Sequence, residues 1–255
     1  MRIGFFALFA LFPCLIFAQS SRLVLEENEP LPLKSLNTTP LVELRAVYQD
    51  MHTRIPAPSI NPNSPQSATF IVQYNGFSAP AQAAFQFAVD IWSQLVVSSV
   101  PIRVKANWVP LGPGVLGSAG ANGLVRDFAG APQPGTWYPM GLAEKLAGGA
   151  INHPDSADIN ANFSSAFSNW YFGTDGNPGS GQFDFVSVVL HELGHGLGFF
   201  GSMTVSSGQG SWGLGSGFPF IYDRFAQNGS GQSLLNTSLF PNPSVALGNQ
   251  LQGGN

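Results

Sequence analysis

Residues 184–200, DFVSVVLHELGHGLGFF, constrain this chain of 255 residues more than any other stretch. Phe185, Val186, Val188, Val189 and Leu190 form an apolar stem, and a glycine-rich loop precedes it. Asp184 is a good N-cap, and its charge suits the positive end of a helix. A helix starting there places His191 and His195 one turn apart on one face, where both imidazoles can reach the same ion. Glu192 stands beside them. Two histidines at this spacing with an adjacent glutamate form the pattern in which the imidazoles hold zinc and the carboxylate serves as general base, then general acid. The blander reading is a buried helix whose histidines only face polar neighbours. The five-residue pattern recurs by chance in unrelated chains, and it is the helical setting and the apolar stem that lift it here.

Composition narrows the alternatives. Hydrophobic residues make up 44% of the chain, enough for a packed core, but charged residues only 9%, against roughly 25% in an average soluble domain. Glycine (30) and proline (20), with serine and asparagine, supply the polar surface and imply many turns. A net charge of −4 without a basic block leaves no electrostatic footprint for nucleic acid. The opening MRIGFFALFALFPCLIFAQS has one early positive charge, an apolar run from Ile3 to Phe17, and the small residue Ala18 suited to cleavage. That is the layout of a secretory signal peptide over residues 1–18, and the run is short for a membrane span of about 20 residues. The expected location is outside the cell, with the periplasm or cell surface as variants and no membrane association after signal removal. Cys14, the only cysteine, lies in this run. A mature chain then has no disulfide, no thiolate ligand and no propeptide cysteine to block a metal, which leaves histidines and carboxylates as metal ligands.

Residues 19–67 read as a propeptide or linker-like arm. Seven prolines punctuate it, Leu41 to Met51 is a short helix candidate, and IPAPSINPNSPQS has linker composition. From Ala68 the pattern tightens. ATFIVQY is a strand candidate, a turn follows at Asn75 and Gly76, and Ala84, Phe85, Phe87, Ala88, Ile91, Trp92 and Leu95 recur at helical spacing after Pro80. VPIRVKANWVPL alternates like a second strand, and a glycine-rich stretch runs to about Gly135. Met140 to Ala147 is a second helix candidate closed by Gly148 and Gly149, and 157–164 is another strand. This order predicts an α+β domain over 68–255.

The stretch FDFVSVVLHELGHGLGFFGS resembles the active-site helix of zincin metallopeptidases, and Gly198 matches the glycine of the metzincin pattern HExxHxxGxxH. The wider text (FIVQYNGFSAPAQAAFQFAVDIWSQ, VPIRVKANW, ADINANFS, WYFGTDGNP and IYDRFAQNGSGQSLLN) resembles secreted bacterial metallopeptidase domains with an HELGHGLGF-type helix and a downstream YDRF segment. The resemblance implies a zincin-like domain with a mixed sheet and a central active-site helix. It also implies an endopeptidase for protein or peptide substrates, with Zn²⁺ on His191 and His195 and Glu192 as catalytic base. One departure stands out: the third-ligand position of metzincins is Gly201, which has no side chain.

Zinc usually takes three protein ligands plus water. After His195 the chain has no further histidine and one acidic residue, Asp223, which is therefore the in-chain candidate for third ligand. The alternative is a structural Asp223 that caps a helix or pairs with Arg224. Tyr222 is a candidate for oxyanion stabilisation. In similar proteins a further histidine-bearing segment is expected, so a second reading makes this chain the N-terminal piece of a longer domain. The rival functions are a catalytically silent binding or adhesion module on the same scaffold and a zinc hydrolase acting on another bond. His52 and His153 read as loop residues. Asp155, Asp158, Asp175 and Asn177 offer oxygen ligands for Ca²⁺ as a further cofactor, although their spacing fits no calcium loop. Trp137, Tyr138, Trp212 and Phe218 are candidates for the core or for a substrate cleft. Sequons begin at Asn37, Asn162, Asn228 and Asn236.

Overall fold

The computed structural model describes residues 68–252 together with strands at 34–36 and 42–45. The expected signal segment, His52 and the rest of the arm lie outside the described residues. In chain order the elements are β1 (Lys34–Leu36), β2 (Val42–Arg45), β3 (Phe70–Asn75), α1 (Ala79–Leu95), β4 (Ile102–Val109), β5 (Val115–Ala121), β6 (Leu124–Arg126), β7 (Tyr138–Pro139) and α2 (Met140–Ala147). They continue with β8 (Ile159–Ser164), β9 (Trp170–Tyr171), β10 (Phe183–Asp184), α3 (Phe185–Leu197), β11 (Thr204–Ser206), β12 (Gln209–Ser211) and α4 (Val245–Gln252).

The architecture is α+β, built on a mixed five-stranded sheet of order β2-β5-β8-β4-β3. β3, β4 and β8 run parallel, whereas β5 is antiparallel to β8 and β2 is antiparallel to β5. Strand alternation decides which face is covered. Ile102, Val104 and Ala106 of β4 and Ile159, Ala161 and Phe163 of β8 are buried in the main core, which they share with α1 and α3. The intervening positions are polar. Asn75 donates to Asn107 (3.0 Å), Asn107 to Asn162 (3.0 Å), and Asn162 to Ser118 (3.3 Å), so a row of side-chain hydrogen bonds crosses four strands. Asn162, the start of one sequon, is thus engaged within the sheet.

Local chemistry sets the helices. Ser78 caps α1, its Oγ accepting from Ala81 N, and Pro80 sits in the first turn. Ala81, Ala84, Phe85, Ala88 and Val89 of α1 then face the core. α2 ends on Gly148, whose φ of 74° is a left-handed conformation that glycine adopts without strain. α1 packs along α3, and α3 lies against β5 and β8. Phe185, at the start of α3, is fully buried among the rings of Trp170 (5.0 Å), Phe163 (5.3 Å), Trp108 (5.4 Å) and Phe172 (5.4 Å).

Two expectations need correction. The helix candidate Leu41 to Met51 instead contains β2, where Val42 to Arg45 pair with β5. The alternating Val-Glu-Leu-Arg run serves either period, and an available strand edge selects the extended form. The stretch running to Gly135 holds two strands, β5 and β6, that its glycine content conceals.

Candidate metal centre

α3 begins as its sequence predicts. The Asp184 carboxylate accepts from Ser187 N at 3.0 Å and caps the helix. It ends at Gly198 with φ 116°, a conformation a β-carbon disfavours, and a side chain there would also collide with the Pro139 ring. This turn folds Phe199 back, so that Phe199 N donates to Gly194 O at 3.0 Å and Phe199 O comes 2.9 Å from His195 Nδ1. A carbonyl only accepts, so His195 Nδ1 carries the proton and Nε2 keeps its lone pair.

His191 and His195 are half-buried. Their Nε2 atoms converge to 3.0 Å, with ring centroids 4.6 Å apart and ring planes at 88°. Burial pushes His191 down to about 4, with the nearby His195 adding to the effect. Burial also lowers His195, against the opposing pull of its bond to Phe199. Both imidazoles are therefore neutral at pH 7, the state a metal needs. Two nitrogens on a tetrahedral zinc lie about 3.3 Å apart, given Zn–N bonds of about 2.0–2.1 Å. The observed pair fits that ion with a shift of a few tenths of an ångström.

Glu192, the neighbour of His191 in α3, is fully buried. It lies against β5 at Gly117, where a β-carbon would come within 3.2 Å of Glu192 Cγ, Asn162 O and Phe163 Cδ1 alike. Glycine at 117 is what lets the strand pass so close to the carboxylate. On the other side of α3, Trp92 Nε1 donates to Leu190 O at 3.1 Å and its ring lies 6.0 Å from Phe199.

The site geometry can be set beside known proteins. A family model described as SPBPB7E8-like matches residues 137–209. That span is under a third of the chain, and it contains α2, β8 and the whole of α3 with both histidines and Glu192. No curated protein and no solved structure matches the chain.

Among the described residues, no group of three His, Cys, Asp or Glu side chains gathers around a common point that could hold a metal. Asp223 is buried, and its carboxylate accepts from Ser202 N (2.8 Å), Ser202 Oγ (2.5 Å) and Phe220 N (2.8 Å). Ser202 Oγ in turn accepts from Gly213 N at 2.6 Å. These bonds tie the segment after α3 to the turn Tyr222–Phe225. This is the structural role, with different partners from those expected: Arg224 donates to Thr136 Oγ1 and Pro134 O. To ligate a metal, Asp223 must give up some of these bonds. Asp223→Ala leaves several buried donors unmatched, at about 1–3 kcal/mol each. The expected result is a loss of at least about 3 kcal/mol in urea melts with zinc content per folded chain unchanged. Loss of zinc from a folded variant would restore the ligand assignment.

The remaining candidates fall elsewhere. Tyr222 is exposed, its ring 6.5 Å from Phe199. Trp137 and Tyr138 are buried core rings, and the half-buried Phe218 and Trp212 pack against satellite clusters. His153 lies in an exposed turn, where its Nδ1 accepts from Asp155 N. The calcium candidates do not gather either. Asp175 accepts from Tyr171 Oη (2.5 Å) and Asn177 N (3.0 Å). Asp158 accepts from Arg103 N (2.7 Å) and fastens the start of β8.

Burial raises Asp158 to about 6, with the charge of Glu144 adding to it and the Arg103 bond opposing it. The folded chain thus takes up this proton near pH 6, the unfolded chain only near 3.8. Stability from this group is present at low pH and lost as pH rises through 6. Relative to Asp158→Asn, the wild type should gain up to about 3 kcal/mol between pH 7.5 and 3.5. Urea melts of both proteins across that range check this, and a difference that does not move with pH contradicts it.

Three contributors escaped the sequence reading. Gly117 and Ser202 carry no motif. Phe199 acts through its carbonyl, and the signal that points to it is Gly198 directly before it.

Proposed function

We propose that this protein is a secreted zinc-dependent endopeptidase of the zincin type. The observation that carries this reading is the convergence of His191 Nε2 and His195 Nε2 to 3.0 Å, with the His195 tautomer set by Phe199 O, beside the buried Glu192. The α+β architecture, with α3 laid along β5 and β8, supports it. His191 and His195 would hold a zinc ion through their Nε2 atoms, and the ion would supply Lewis-acid activation of water and of the scissile carbonyl. Glu192 takes a proton from the attacking water on a carboxylate oxygen and returns it to the leaving amine. The bond from His195 Nδ1 to Phe199 O keeps that ring oriented and its Nε2 unprotonated. The packing of Phe185 and its aromatic neighbours fixes the N-terminal half of α3, so the carboxylate and the imidazoles keep their relative positions.

Casein hydrolysis tests this reading. EDTA should abolish it and added zinc should restore it; hydrolysis that persists in EDTA contradicts the proposal. A second reading, a catalytically silent binding module on this scaffold, is favoured by Gly201 and by the lack of a third clustered ligand among the described residues. Zinc bound at one ion per chain without any hydrolysis would select it.

A further inference from the structure

Glu144 of α2 and Asp158, the residue before β8, are 4% and 1% exposed. Carboxylates are rarely buried this deeply unless paired, and among the described residues neither forms an ion pair with Lys or Arg. Asn152 stands between them. Its side-chain amide donates to Glu144 Oε1 (3.0 Å) and His153 O (2.9 Å). The amide atom that faces Asp158 Oδ1 at 3.4 Å is then the oxygen. Two facing oxygens repel unless one carries a proton, and a protonated carboxyl is the donor available here. Asp158 Oδ2 accepts from Arg103 N at 2.7 Å, which leaves Oδ1 for the proton. The loop 149–157 joins α2 to β8, and every residue in it is half-buried or exposed. It is fastened to α2 through Glu144, whose Oε1 also accepts from Ile151 N (3.0 Å) and Asn152 N (3.2 Å).

We infer that Glu144, Asn152 and Asp158 form a proton-operated latch, which holds the loop 149–157 against α2 and β8 in acid and releases it when the shared proton leaves. Ionised Asp158 repels the Asn152 oxygen and the Glu144 carboxylate, so Asn152 turns away and the loop keeps only its backbone bonds to α2. The charged groups that face Asp158 are Glu144 from α2, which opposes ionisation, and Arg103 from β4, which favours it. The turn after β5 presents the uncharged Asn122, whose N donates to Asp158 O and whose Nδ2 donates to Ala157 O. In the loop itself, His153 and Asp155 are exposed. Burial outweighs Arg103 and raises Asp158 to about 6, so the latch is closed below that pH and opens above it. Its supports also touch the helix of the histidine pair. Ile159, next to Asp158, packs on Gly196, and Pro139, which starts α2, packs on Gly198. The latch thus lies one residue from the packing that braces the last turn of α3.

Hydrogen exchange of the full chain, followed amide by amide by NMR and corrected for intrinsic rates, tests this. A proton held at about pH 6 with the loop closed and near 3.8 with it open lowers the protection of the Ile151 and Asn152 amides about tenfold between pH 5 and 7.5. In Asp158→Asn the new amide donates to Asn152 at every pH, and the change should stay under about twofold. The same two amides should be less protected than the buried amides of α1 at both pH values, because their exchange needs only a local opening. Wild-type protection that does not fall, an equal fall in Asp158→Asn, or loop and α1 exchanging at one common rate overturns the inference. A second measurement on the wild type guards against a misfolded variant. The Asp158 carboxyl carbon and the Asn152 side-chain amide protons should titrate together with one midpoint near pH 6, and separate midpoints also overturn the inference. Neither readout depends on zinc or on peptide hydrolysis, so the latch and the peptidase reading stand or fall separately.

Discussion

Glu192→Gln lowers kcat/KM for peptide hydrolysis by about 10²–10⁴-fold, the range for loss of a positioned general base, and leaves zinc content at the wild-type level. The amide has nearly the same shape as the carboxylate, so the close passage of β5 at Gly117 is preserved. What it lacks is the capacity to take a proton. Glutamine also leaves both imidazoles and the Phe199 bond untouched, so zinc retention separates base from ligand. A variant that loses zinc would make Glu192 a ligand, and a variant with wild-type turnover would remove it from the chemistry.

Phe185→Ala destabilises the fold by about 3–5 kcal/mol, the usual cost of removing a large buried aromatic side chain. Phe185 has no exposed surface and sits among four rings drawn from β4, β8, β9 and the residue after it. Small residues cannot collapse into that space, because the strands carrying these rings are held by their own ladders. Urea unfolding gives the number directly. A loss under about 1 kcal/mol would mean that the aromatic cluster repacks and does not fix the start of α3.

α1, α2 and α3 were legible because their signals are local, whereas α4 (Val245–Gln252) was not read. Pro80, Asp184 before its apolar stem, and Gly148 after Ala147 mark starts and stops, while the Ser78 cap emerged only with the structure. β3 showed through its β-branched and aromatic residues and β4 through alternation, and β8 too read as a strand. β5 did not, because VLGSAGA has Val115 as its single β-branched residue and no aromatic one. Its small residues answer a tertiary demand, the close approach of Glu192 and Phe163 at Gly117, which no local pattern encodes. β2 was misread as helix for a related reason, since its partner is more than 70 residues away. Within the site, the histidine pair and Glu192 were readable from spacing. The Phe199 carbonyl and the engagement of Asp223 with Ser202 were not, since both depend on how the chain turns after Gly198. Elimination singled out Asp223 by residue type alone, and its hydrogen bonds belong to the fold.

Zinc content by elemental analysis, on dialysed wild type and on His195→Ala shown by circular dichroism to be folded, bears most directly on the centre itself. The account predicts about one zinc per wild-type chain and almost none in the variant, because a single remaining imidazole cannot hold the ion. Equal zinc in the two proteins, or none in the wild type after incubation with excess metal, would contradict it.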